Sequence, residues 1–369
     1  MSQLIVTRAD FRVATDEDKH LDTYDNTKLV AINTCPTWGI LRYQMHKTFQ
    51  HNSRAMALEA GSTMHEVFAW VRLCQLYYQT DYLDIEVRMN AFHHHGKRLF
   101  NSKQFPGRWL DILQAINNSW DQSNPIDYVR EGALNVIETG AFYDDPNDKR
   151  RTISNLSECA LHYCDRWDFS YNVWMQSKDD PFGLVGLEMP FDIRTDLTMS
   201  DGSVMSFRLT GMIDGIHDYN GRITLHENKT ASRLNEAWSS SYHLNSQPTH
   251  YLVAVTTIIQ APVRNALIIG LNIPLPKSSV SGGMLIEPVR RHDYHIERWI
   301  NWVAHTVQLA EEYKDNPYDA PNYTHSCNRY FRPCSFIPFC NTTTEEQRVM
   351  VNEEMIIDEW SPINREVLD

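Results

Sequence analysis

The chain has 369 residues, 42% hydrophobic and 22% charged, an ordinary globular composition with length for one elaborated domain or two to three smaller ones. A formal net charge of -13 argues against broad, non-specific polyanion binding, but leaves room for a local basic groove. No basic-then-apolar opening reads as a secretory signal, and the best apolar run, around Tyr251 to Ile259, is far short of the roughly 18 residues of a membrane span. A cytoplasmic protein is expected, with its seven cysteines as thiols or metal ligands rather than disulfides.

Residues 1–26 are polar and Asp-rich and are expected to form a leader. In residues 27–80, the segment LVAINTCPTWGILRYQ places Pro36 where it suits a first helical turn, with Cys35 at the helix start. Ser53 to Tyr78 carry small and apolar residues at helical spacing and no proline. His65 lies within them; a lone helical histidine is ordinarily a surface or core residue, and Glu66 reads as solvent-facing. Residues 81–180 are helical by pattern, with Trp109, Trp120, Trp167 and Trp174. Tryptophans can stack bases, although core packing is their commoner use. His93, His94 and His95 are adjacent and so cannot share a helix face, which favours solvated helix over a metal site. Val185 to Arg194 reads as a strand in which Glu188 is either structural or a group that supports the site, the structural role being favoured.

The densest signal runs from Leu209 to Lys229. Two short apolar-rich runs flank Tyr219-Asn220-Gly221-Arg222, and an Asn-Gly pair so placed is a strong hairpin signal. Strand alternation sends Glu227 and Lys229 to one face and Asn228 to the other. With Asp214 on the partner strand, two carboxylates and an ammonium gather at one spot. Hard oxygen ligands suit Mg²⁺ or Mn²⁺. The same pattern also fits an amphipathic hairpin with a solvated charged face. Downstream, Gln247 and Tyr251 stand four apart on one face of an apolar helix running through about Gln260. Ala231 to Ser241 reads as a loop with a helical turn, Asn265 to Asn272 as a buried strand, and His295 to Tyr313 as a helix. Cys327, Cys334 and Cys340 then cluster within residues 315–345, before an acidic tail at 346–369.

In order, Gly61-x-x-x-His65, Asp214 with Gly211 ahead of it, Glu227-x-Lys229 and Gln247-x-x-x-Tyr251 resemble the RecB-like branch of the PD-(D/E)XK nucleases. The resemblance covers about Cys35 to Cys340. It implies an α/β (α+β), restriction-endonuclease-like fold, with a central mixed sheet flanked by helices. Residues 181–314 would be the nuclease core and 81–180 a helical insertion. By the same resemblance His65, Asp214, Glu227 and the backbone carbonyl of Asn228 hold one or two divalent cations, Mg²⁺ or Mn²⁺. Lys229 would position the attacking water, and Gln247 and Tyr251 would orient the strand.

One cysteine ahead of these motifs and three behind resembles the iron–sulfur nucleases, such as AddB and the CRISPR-associated RecB-like exonucleases. That implies a structural [4Fe-4S] cluster on Cys35, Cys327, Cys334 and Cys340, stapling the N- and C-terminal segments together. Six residues separate Cys327 from Cys334 where the family usually has two. Zinc, with His325 replacing the distant cysteine, is the rival. Cys74, Cys159 and Cys164 read as buried thiols. The implied activity is metal-dependent DNA hydrolysis, by an exonuclease on single-stranded DNA or free ends in replication, recombination or repair. No phosphate-cradling Walker loop occurs, so any helicase or recombination partner would be a separate chain, and an oligomer is compatible. The alternative is a non-catalytic or partner-dependent DNA-binding module of the same fold.

Overall fold

At the centre of the chain the Asn-Gly pair makes the turn its sequence demands. Asn220 and Gly221 have φ of 51° and 80°, left-handed values that a tight hairpin turn needs and that Gly and Asn tolerate best. Tyr219 pairs with Arg222 across it. The computed structural model describes residues 5–49, 56–103, 105–116, 125–275, 283–329 and 332–359. Ser53, Trp120, Tyr330, Phe331, most of the Pro/Ser/Gly-rich loop after Asn272 and the end of the acidic tail lie outside them.

The main strands are β1 (Val6–Val13), β2 (Leu187–Met199), β3 (Val204–Tyr219), β4 (Arg222–Ala231), β5 (Asn265–Asn272) and β6 (Met284–Arg290). They lie in that order in one sheet of eight strands, the two-residue strands Thr23–Tyr24 and Asn172–Val173 both pairing with β3. The sheet is mixed: β3–β4 and β5–β6 are antiparallel, whereas β4–β5 is parallel. Helices surround it, namely α1 (Asn26–Thr34), α2 (Met56–Gln79), α3 (Ile85–Phe100), α4 (Arg108–Ala115) and α5 (Pro125–Glu138). They continue as α6 (Ile153–Arg166), α7 (Glu236–Ser240), α8 (Ser246–Ile259), α9 (Asp293–Tyr313) and α10 (Glu345–Glu353). The α/β expectation, a central mixed sheet flanked by helices, is met. Among the described residues no helix is long and apolar enough to cross a membrane.

The chain divides into two compact units, one drawn from 1–54, 191–211 and 292–363, the other from 55–190 and 212–291. In the first, residues expected to form a leader carry β1, paired antiparallel with β2 from Val13–Ile193 back to Val6–Met199. In the second, α2 is the axis of the core. Trp70 on it is fully buried among Phe92, Phe100, Trp109 and Tyr128. A methyl on Gly132 of α5 would lie 1.9 Å from the Trp70 ring, so at this position α5 closes on α2 because the side chain is missing. Trp109 and Trp167 are likewise core residues.

The histidine run divides its roles. His94 is exposed, but His95 is buried and bonds the Pro181 carbonyl at 2.8 Å, and His93 accepts from the Trp109 indole. Glu66 is not the solvent-facing residue expected. Arg108 of α4 reaches it with two bonds of 2.8 Å, a partner that helical periodicity cannot reveal.

Candidate active site

β3 and β4 place the central residues side by side, one step beyond the pair Gly215–His226. Asp214 Oδ2 accepts from the Asn228 amide at 2.7 Å, and its Oδ1 lies 3.3 Å from His65 Nδ1 on α2. Lys229 Nζ lies 2.7 Å from Glu227 Oε1, the same-face pairing expected from alternation. The Gln247 amide nitrogen donates to that oxygen at 3.0 Å and to the Tyr251 hydroxyl at 3.1 Å, the two residues sharing a face of α8. Glu227 Oε2 is buried with no hydrogen-bond partner among the described residues. A buried carboxylate oxygen without a donor is costly, and a bound cation would satisfy it.

Two further side chains meet this group, Glu188, which sequence reasoning undervalued, and Arg72, which it missed. Glu188, for which the sequence favours a structural role over one supporting the site, offers a carboxylate oxygen that lies with ligand atoms of His65 and Asp214 in a group all within 4.8 Å of one another. Its φ of 41° is left-handed, and Leu187 donates to Val185 across a tight turn just before it. That local break in strand geometry hides its direction from an alternation argument. Arg72, seven residues after His65 on α2, is fully buried and donates to the Asp214 carbonyl at 3.2 Å. With the Asn228 amide assigned to face it, the side-chain oxygen accepts from Arg72 at 2.9 and 2.5 Å. Helical i, i+7 spacing was the available signal.

The electrostatics follow from this crowding. Burial works against the Asp214 charge, but His65, Lys229 and Arg72 outweigh it and hold the carboxyl well below its usual range. Burial pulls His65 down, yet the Asp214 carboxylate beside it lifts it above an ordinary histidine. Burial, then the Asp214 charge, pushes Glu227 up to about 7 despite Lys229. Lys229 loses by burial and gains more from Glu227 and Asp214, so it remains an ammonium. Behind them His217 and His226 stack at 3.9 Å, both buried. Burial first, and the Arg72 charge as well, keeps both neutral. The result is a donor set of oxygens and one imidazole, suited to Mg²⁺ or Mn²⁺.

The first unit holds the cysteine set. Cys35 precedes the single turn Pro36–Gly39, with proline in its first position as the sequence suggested. The six residues between Cys327 and Cys334 include a small hairpin, Asn328–Arg329 against Arg332–Pro333. Its closure sets Cys334 N 2.8 Å from the Cys327 carbonyl, so the long spacing still yields neighbours in space. All four cysteines line one cavity of about 250 Å³ with Trp38 and Phe336. Burial, then the neighbouring thiols, raises Cys334 and pushes Cys340 up to about 11. Thiols that line one cavity and are costly to ionise without a cation are chemically compatible with a bound cluster. His325 is exposed, stacks on Tyr323 and does not line the cavity. Cys74, Cys159 and Cys164 are buried thiols.

A family model described as the PD-(D/E)XK nuclease superfamily matches residues 26–341. Comparison with curated proteins gives no match.

Proposed function

The chain belongs to the PD-(D/E)XK nuclease superfamily, and from that membership we propose that it is a metal-dependent DNA exonuclease of the RecB-like, iron–sulfur branch, acting on single strands or free ends. Asp214, Glu227 and His65 would hold Mg²⁺ or Mn²⁺, with Glu188 and the Asn228 carbonyl completing the set. A bound divalent cation supplies Lewis-acid polarisation of the phosphate and a water of lowered pKa. Lys229, charged and tied to Glu227, positions the attacking water and offsets charge growing on the phosphate oxygens. Gln247 fixes Glu227 and Tyr251 together, so the carboxylate has one orientation as the strand arrives. Cys35, Cys327, Cys334 and Cys340 would hold a [4Fe-4S] cluster with a structural role.

The observation that carries this reading is Glu227: buried, anchored by Lys229 and Gln247 through one oxygen, with the other oxygen unsatisfied, on the strand paired with that of Asp214. The test is a cleavage assay on end-labelled linear and on circular single-stranded DNA with Mn²⁺, after purification without oxygen. The linear strand should be degraded and the circle spared, and Asp214→Ala should lower the rate by at least about 100-fold with its melting curve retained. Cutting of the circle sinks the exonuclease. Full activity of the Asp214→Ala protein sinks the site.

A further inference from the structure

Lys229 of β4 is paired with Gly270 of β5 in the parallel register, so the two positions share a sheet face about 4.8 Å apart. Gly270 has no side chain, and the space above it is taken by Trp238. A methyl on Gly270 would lie 2.6 Å from the indole ring and equally close to Leu234. Trp238 therefore lies against bare backbone one strand spacing from the lysine. It is only partly buried, and Tyr242, also partly exposed, meets it edge to face at 5.0 Å and 65°.

The pair is held rigidly. Asn235 caps α7 by accepting from the Trp238 amide at 3.0 Å. Arg291, only 4% exposed, donates to the carbonyls of Tyr242 and Asn245 at 3.0 and 3.1 Å and to the Thr249 hydroxyl at 2.8 Å. A buried arginine spent on two loop carbonyls fixes this segment against the start of α8. Burial raises the Tyr242 phenol.

We propose that Trp238 and Tyr242 form the stacking surface for a nucleobase flanking the phosphate held at Lys229, so that the site grips a strand by base and by phosphate at once. This rests on the nuclease reading above. Hydrolysis requires the scissile phosphate to stay registered on Lys229 and the carboxylates. A π-face beside the lysine supplies that register without sequence preference, because every base can stack.

The experiment measures binding of a fluorescein-labelled 12-nucleotide single strand in Ca²⁺, and of a set carrying one abasic position each, to wild type, Trp238→Leu and Trp238→Phe. For wild type, one abasic position should weaken binding by about 5- to 150-fold, the value of one stacked base. Trp238→Leu should weaken the intact strand by a similar factor and lose little more at that position, while Trp238→Phe keeps most of the affinity. Wild-type binding by Trp238→Leu overturns the proposal. So does an equal loss on the intact strand and on every abasic strand, which marks a purely structural role. Should Trp238→Leu fail to fold, Tyr242→Leu is held to the same two outcomes. Cleavage of the intact strand in Mn²⁺, lost in Asp214→Ala, together with an equal loss of binding by Trp238→Leu on the intact and every abasic strand, overturns the stacking surface and leaves the nuclease. No cleavage by wild type brings down both.

Discussion

Glu227 titrating near neutrality sets a competition between a proton and a cation. An ordinary glutamate ionises at 4.5, and here burial and Asp214 push it up to about 7, so between those values the folded chain holds a proton that the unfolded chain releases. The stability this contributes is complete below about pH 4.5 and is lost as pH rises through 7. His65, raised above 6.5, acts in the same direction. Asp214, lowered, acts in the opposite sense, but only at and below the usual carboxylate range. The metal-free protein should therefore lose stability from pH 5.5 to 8. Ligation needs both groups deprotonated, so stabilisation by Mn²⁺ should grow over the same interval. Melting curves in chelator and in Mn²⁺ at pH 5.5, 7 and 8 measure the gap. A gap constant with pH would remove Glu227 and His65 from the ligand set, and Glu227→Gln should flatten it. At this scale Asp214, Glu227 and Lys229 were legible because strand alternation is rigid. Glu188 was not, because a left-handed φ breaks the period that makes side-chain direction readable.

Elements were legible where a local rule fixes them. The Asn-Gly turn set the β3–β4 register, and β5 falls on Asn265–Asn272 as read from its apolar run. Periodicity also gave the helices of 81–180, but a helical face does not name its partner. That these helices close on α2 depends on Gly132 against Trp70 and on Glu66 with Arg108, contacts 62 and 42 residues apart in sequence that no local pattern encodes. Gly132→Ala should accordingly destabilise the second unit by roughly 1–3 kcal/mol, since the added methyl must displace a fully buried indole. Urea unfolding followed by tryptophan fluorescence reads this directly, and an unchanged midpoint would mean that α5 does not press on Trp70. The same limit hid the cysteine geometry. Six residues between Cys327 and Cys334 depart from the two expected, yet the hairpin removes the distance.

For the molecule as a whole, the order of the motifs was informative because each sits on an element the fold requires, whereas β1 was lost in a polar stretch whose strand partner lies almost 190 residues away. The cysteine set has a similar reach. Cys35 and Cys340 are about 300 residues apart and line one cavity, so a group bound there closes most of the chain into a loop. Loop-closure entropy for a link of that length is roughly 5–6 kcal/mol by the chain-entropy estimate, comparable with the whole stability of a domain. A ligand at this site should therefore decide whether the full chain survives purification. Protein prepared without oxygen should carry roughly four irons per chain with matching sulfide. Cys35→Ala should lose iron and melt far below wild type, because the remaining three cysteines all lie on one side of the loop. Zinc in place of iron at one per chain would exchange the cluster for a tetrahedral site on the same four sulfurs. An iron-loaded, stable Cys35→Ala protein would show that the loop is closed by another ligand, since a bond that Cys35 does not make cannot be the one that restrains the unfolded chain.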